Sequence, residues 1–122
     1  RVLLAKRKGS HGEGKWGSFG GQVEFGESPK EAAIREAKEE LDVVVGELEY
    51  LYTADFQTEG KHFIDLGFKA KIISGEPRIM EPHKVEAIKW FDFNDLPDNL
   101  FEPIAYCVEA LKSGNRYFEK EG

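Results

Sequence analysis

The spacing of apolar positions changes along the chain, and each change marks an element. Residues 2–6 form a short apolar run that predicts a buried strand. The polar, glycine-rich stretch 8–14 that follows predicts a loop. Between residues 15 and 28, Gly17, Gly20, Gly21, Gly26 and Ser28 restrict the backbone to loop or short strand. A helix start is then explicit: Ser28 suits the N-cap, Pro29 the first helical position, and Glu31 completes a capping box. The predicted helix covers 29–41, with Ile34, Ala37 and Leu41 as its apolar stripe. Two runs with a period of two come next. Leu48, Tyr50, Tyr52, Ala54 and Phe56 share one face, as do Ile64, Leu66, Phe68, Ala70 and Ile72. This predicts an antiparallel hairpin in which 48–56 pairs with 62–73 around Gln57-Thr58-Glu59-Gly60, both apolar faces turned to the core. Val85–Phe91 reads as a further strand, Asp95-Leu96-Pro97 as a turn, and a closing helix places Ile104, Val108 and Leu111 on one face before Gly114. Strands interleaved with two helices predict an α/β/α sandwich, a mixed sheet between helices. With 122 residues and no internal repeat, one domain over 1–122 is expected. The chain opens inside a strand without an initiator Met, so an earlier strand segment is expected to precede Arg1.

Composition narrows the function classes. A net charge of −6 argues against long nucleic acids, whose binding depends on cationic neutralisation of phosphates. It leaves small phosphorylated ligands open, because a bound divalent cation reverses the local sign of an acidic site. No apolar run approaches the roughly 18 residues of a membrane helix, so no membrane partner is expected. Cys107 is the sole cysteine and cannot form an internal disulfide, which makes a reducing cytoplasm the expected compartment.

The residues with chemistry lie between Gly21 and Val43. At 100° per residue, Glu36, Glu39 and Glu40 fall on one arc of the helix, opposite Ile34, Ala37 and Leu41, with Ala32 and Ala33 beside them. The arrangement is unfavourable for an isolated helix. The like-charge pair Glu36 and Glu40 costs about 0.2–0.5 kcal/mol, and anions in the last turn oppose the macrodipole by about 0.3–1 kcal/mol. A hard divalent cation offsets both, and clustered carboxylate oxygens are what Mg²⁺ or Ca²⁺ takes. A solvated acidic face is the plainer account of the helix by itself. Upstream, Gly20-Gly21 lets the backbone turn tightly and offers a carbonyl to an ion.

Gly21, Glu27, Arg35, Glu36, Glu39 and Glu40 together match Gly-x5-Glu-x7-Arg-Glu-U-x-Glu-Glu-x-Gly-U, with U a bulky aliphatic residue, and so the chain resembles the Nudix hydrolases. Trp16 to Glu27, Glu81 to Lys84, Glu86 to Trp90, Leu96-Pro97 and Leu100-Phe101 look like the MutT-related branch that splits nucleoside triphosphates. Three positions depart from the pattern. Ala37 is smaller than usual, and Phe19 replaces a common proline. Asp42 stands at the second motif glycine, unless a Thr-Gly pair is missing before Leu41-Asp42. The resemblance implies Mg²⁺, with Mn²⁺ as a substitute, held chiefly by Glu36 and Glu40 with help from Glu39 and the Gly21 carbonyl. It implies that Arg35 pairs with Glu27 and orients the carboxylates. It implies a general base among Glu36, Glu39, Glu81 and Glu86, a nucleotide substrate, and a homodimer as a frequent assembly. Its implied reaction is conversion of a nucleoside triphosphate to monophosphate and pyrophosphate. ADP-ribose or a nucleotide sugar is the rival substrate, opposed weakly by the lack of a proline near Gln57-Gly60. A catalytically silent nucleotide sensor is the rival of another class, opposed by the full set of carboxylates.

The remaining side chains carry weaker readings. Arg7, Lys15, Phe19 and Gly20 are candidate substrate contacts, although surface cations most often only confer solubility. Phe56, Phe63 and Phe101 join Phe19 as aromatic faces able to stack on a base, with core packing the commoner role. His11, His62 and His83 lack zinc spacing. Trp90 is expected in the core, and Cys107 is expected to be a small apolar filler.

Overall fold

The structure is a computed structural model and describes residues 1–9, 12–58 and 60–119. His11 and Glu59 therefore lie outside the described residues. In chain order the elements are β1 (Val2–Arg7), β2 (Trp16–Gly17), α1 (Pro29–Leu41), β3 (Val44–Thr58), β4 (Lys61–Ser74), β5 (Val85–Phe91), α2 (Glu102–Ser113) and β6 (Tyr117–Glu119). The strands form two sheets. One is antiparallel, in the order β2-β1-β5; the other is mixed, β4-β3-β6, with β3 antiparallel to β4 and parallel to β6.

The α1 start is as predicted: the Ser28 hydroxyl accepts from the Glu31 N–H at 3.1 Å and Glu31 accepts from the Ser28 N–H at 2.9 Å. Ala37 and Leu41 enter a core cluster with Val43, against which Leu3, Phe19, Val45, Ile72 and Ile88 pack, so α1 is gripped by both sheets. Helix α2 covers a second cluster of Tyr52, Ala54, Phe56 and Ala110. Along β4 the residues alternate between these clusters. Ile72 meets the α1 cluster, while Phe63 stacks on Phe56 at 5.4 Å and Asp65 accepts from the Tyr52 hydroxyl at 2.8 Å. Since successive strand residues point to opposite faces, the mixed sheet lies between the two helices. This is the expected α/β/α sandwich.

The hairpin pairs as predicted, but its facing differs. Ala54 lies opposite Asp65 and Phe56 opposite Phe63, so the buried side of β3 is matched by odd-numbered residues of β4. Ile64 and Leu66 consequently stand on a solvent face, 62% and 40% exposed. Irregular pairing between Gly46 and Glu49, and again between Tyr50 and Tyr52, inserts extra residues into β3 and resets its alternation. Tyr50 is thereby turned to the outer face, where its ring meets Phe68 edge-on at 6.4 Å.

Three further expectations are corrected. Ile34 is 39% exposed, while Ala32 is buried on the acidic side of α1. On that side Arg35 reaches Gln22 and Glu27 and so ties the 20–27 loop to the helix. On α2, Ala110 rather than Leu111 faces the core. Trp90 is 40% exposed, with the Arg1 guanidinium 4.5 Å from its ring centre.

Candidate active site

Helix α1 presents its carboxylates to an open cleft of about 570 Å³, whose walls include Gly20, Gly21, Glu36, Glu39, Glu40 and Glu81. Two segments build it around the helix. The Gly20–Glu27 loop forms one wall and the turn beginning at Glu81 the other.

Arg35 organises the first wall. Its Nε donates to Glu27 Oε2 at 3.0 Å and its Nη2 to Glu27 Oε1 at 2.8 Å, a two-pronged grip that sets the plane of that carboxylate. Nη2 also donates to the Gln22 carbonyl at 2.9 Å, and Nη1 to Glu36 Oε1 at 2.9 Å and Glu39 Oε2 at 3.2 Å. Hydrogen bonds from Arg35, then from the Glu24 N–H, hold the Glu27 carboxyl below the usual carboxylate range. The bond to Glu27 in turn raises the Arg35 guanidinium above its ordinary pKa.

Glu40 has the opposite environment. Burial, and next the adjacent Glu36 carboxylate, push its carboxyl up to about 8, against a weaker opposing bond from the Gly20 N–H at 3.3 Å. At Gly21 the constraint is space: an added Cβ would overlap the Glu36 carboxylate. The donors are all hard oxygens, and two of the carboxylates crowd each other where charge is poorly solvated, so the set suits a hard divalent cation. Among the described residues, no three carboxylate, histidine or cysteine side chains converge into a formed cage. Arg35 draws Glu36 and Glu39 to its own side instead.

The other sequence candidates divide by position. Glu81 lines the cleft, its carboxylate 3.4 Å from the Lys84 ammonium, and Lys84 lines the cleft as well. Glu86 is on β5, 3.8 Å from Lys6, and is not among the lining residues. Arg7 ends β1 with its guanidinium 4.2 Å from the Phe101 ring centre; burial lowers its pKa, while the charge of Glu40 acts to raise it. Lys15 meets this region through its backbone, accepting from the Arg7 N–H at 2.8 Å. Phe19 packs against the α1 core cluster and Phe56 is buried. Cys107 is half-buried, its thiol raised by burial, consistent with an inert filler.

Sequence reasoning missed Lys84 and Glu24 as lining residues, although both lie in segments that resemble the family. It also missed Arg78, whose Nε and Nη2 reach Asp42 Oδ2 at 3.1 and 2.7 Å across 36 residues of chain.

Two sheets gripping a carboxylate helix, with an arginine on that helix forked to the glutamate just before it, define a domain class, and sequence comparison agrees. Residues 1–111 match the NUDIX domain model, and the chain belongs to that family. It is 35% identical over 99 residues to an oxidized purine nucleoside triphosphate hydrolase of Danio rerio, covering 80% of this chain and 62% of that protein. It is 36% identical over 104 residues to an ADP-ribose pyrophosphatase of Methanocaldococcus jannaschii, covering 84% and 60%. The chain thus spans about three-fifths of the length of these relatives. A crystal structure of a MutT NUDIX hydrolase from Burkholderia pseudomallei superposes with a TM-score of 0.87 at 35% identity, covering 91% of this chain and 88% of the other.

Proposed function

We propose that this domain hydrolyses the diphosphate linkage of a nucleoside triphosphate, releasing the monophosphate and pyrophosphate, with Mg²⁺ or Mn²⁺ as cofactor. The observation that carries the reading is the shared cleft: Glu36, Glu39 and Glu40 on one helix face, the Gly20-Gly21 backbone beside them, and Glu81 opposite. Glu36 and Glu40 are the principal metal ligands, and Glu39 and the Gly21 carbonyl assist. When bound, the cation supplies neutralisation of the polyphosphate, polarisation of the phosphorus and acidification of water. The chain's own residues do the rest. Arg35, fixed by Glu27, holds the carboxylates in place. One carboxylate accepts a proton from water as the water oxygen bonds to phosphorus and the bridging P–O bond breaks. Glu81 is favoured as that base, because Glu36 and Glu39 are hydrogen-bonded to Arg35 at 2.9 and 3.2 Å, the Lys84 ammonium stands off from Glu81 at 3.4 Å, and Glu86 does not line the cleft. Arg7 and Lys15 remain candidate phosphate contacts at the loop that follows β1.

ADP-ribose or a nucleotide sugar is the second reading, supported by the comparable identity to the ADP-ribose pyrophosphatase. One experiment separates them: incubation with Mg²⁺ and a panel of ordinary and oxidised nucleoside triphosphates, ADP-ribose and nucleotide sugars, with products resolved by chromatography. Monophosphate plus pyrophosphate from a triphosphate is expected. Cleavage of ADP-ribose alone would replace the first reading by the second, and binding without turnover would mark a sensor domain.

A further inference from the structure

Asp42 occupies the position where the family pattern has glycine, and it takes the left-handed conformation that glycine favours, with φ 57° and ψ 41°. Its backbone N–H caps α1 by donating to the Lys38 carbonyl at 3.0 Å. Unlike glycine, it also brings a carboxylate. Oδ1 takes the Lys38 ammonium at 2.8 Å, and Oδ2 takes both Arg78 donors. The Arg78 N–H donates to the Leu41 carbonyl at 3.1 Å and the Met80 N–H to the Glu40 carbonyl at 3.3 Å. The segment leaving β4 is therefore stitched to the last turn of α1 one residue before Glu81. From there the Glu81 carbonyl accepts from the Lys84 and Val85 N–H groups at 2.9 and 3.1 Å, closing the turn that enters β5. The Lys84 carbonyl is tied to the Lys8 N–H at 2.8 Å.

We propose that the Asp42–Arg78 pair is a positioning clamp that sets Glu81 against the carboxylates of α1. The inference rests on the functional reading above, in which Glu81 works in the cleft. Both partners are partly exposed, with side chains 29% and 66% accessible, and pairs of that kind add little to global stability. The geometry accounts for them better as a local fixing of position. Arg78 is a positioning residue because it reaches no cleft wall itself, and its fork on one oxygen is a geometry that lysine cannot copy.

The test is a cycle of Arg78→Gln, Glu81→Gln and the double variant, with Asp42→Asn as a second way to open the clamp. Two readouts are needed: steady-state kinetics with Mg²⁺ and a nucleoside triphosphate, and amide hydrogen exchange. Arg78→Gln should melt close to the parent and lower kcat about tenfold at nearly unchanged KM, a partial form of the roughly 10²-fold loss that a 1 Å misplacement of a reacting group can cause. Glu81→Gln should be slower still, and the double variant no slower than Glu81→Gln alone. Exchange at the Lys84 and Val85 amides should quicken in Arg78→Gln while the first turns of α1 keep their protection. Parent kcat in Arg78→Gln, parent kcat in Glu81→Gln, or losses that multiply in the double variant would each overturn the clamp. If the parent turns over no nucleotide, the functional reading has failed, and the exchange readout then decides by itself whether the pair holds the turn.

Discussion

At the scale of single residues, crowding and grip decide the behaviour of the site. Glu40 lies beside Glu36 in a half-buried place where charge is poorly solvated. Glu40→Gln preserves shape and removes the need to take up a proton on folding, so the metal-free variant should be more stable than the parent in chemical denaturation at neutral pH, by a margin that shrinks as pH falls toward the ordinary glutamate range. Mn²⁺ affinity, followed by calorimetry, and turnover should both collapse. A variant that binds Mn²⁺ like the parent would remove Glu40 from the ligand set. Arg35 contributes by geometry, because three of its nitrogens are committed to Glu27, Glu36 and Glu39. Lysine keeps the charge without the fork. Arg35→Lys and Glu27→Gln should therefore each lower kcat with KM little changed, and the double variant should be less impaired than the two losses combined. A large rise in KM at constant kcat would mean that Arg35 grips the substrate phosphates.

At the scale of elements, the mixed sheet holds a polar pair that its apolar pattern did not announce. Asp65 projects from β4 toward α2 and receives the Tyr52 hydroxyl, and burial raises its carboxyl above the usual range. A carboxyl raised in this way keeps its proton in the folded state where the unfolded chain has released it. The stability it contributes is full below the ordinary aspartate pKa of about 3.9 and is lost as pH rises through the raised value. Asparagine still accepts from Tyr52 but does not titrate. The difference in denaturation free energy, parent minus Asp65→Asn, should therefore fall as pH is raised from about 4 toward neutrality. A difference that stays flat would place Asp65 outside the titration.

At the scale of the whole molecule, the two clusters divide the labour of stability. One joins α1 to both sheets and carries the site, and the other seats α2 on the mixed sheet. Phe56 is 5% exposed and contacts Phe63 and Tyr106, so Phe56→Ala should cost about 3–5 kcal/mol. Ile64 is 62% exposed on the opposite face of the same sheet, and Ile64→Thr should change stability by no more than about 0.5 kcal/mol. Urea denaturation of the two variants checks the facing of β4, since the facing expected from the apolar alternation alone makes both costly.

Much of this molecule is written in local pattern. The Ser28 capping box, the α1 boundaries, the β5 boundaries and the hairpin partners follow from neighbours a few residues apart, because capping and strand alternation are short-range physics. The fork from Arg35 to Glu27 was what the family resemblance implied, and the carboxylate arc of α1 was also legible, since helical spacing puts Glu36, Glu39 and Glu40 together. The facing of β4 was not. Two irregularities in β3 shift the alternation, and an apolar stripe records only what a strand offers to the core, not which side receives a helix. Ile34 and Ala32 also depart from the pattern: Ala37 and Leu41 on the apolar stripe are buried as expected, while Ile34, a turn nearer the helix start, is 39% exposed and Ala32 on the acidic side is buried. The family resemblance named Glu81, but its placement came from tertiary structure. Glu81 and Lys84 in the far wall, and Arg78 behind it, lie 36 residues or more beyond the residues of α1 and its cap that they face, and only the return of β4 and β5 across the end of α1 brings them there.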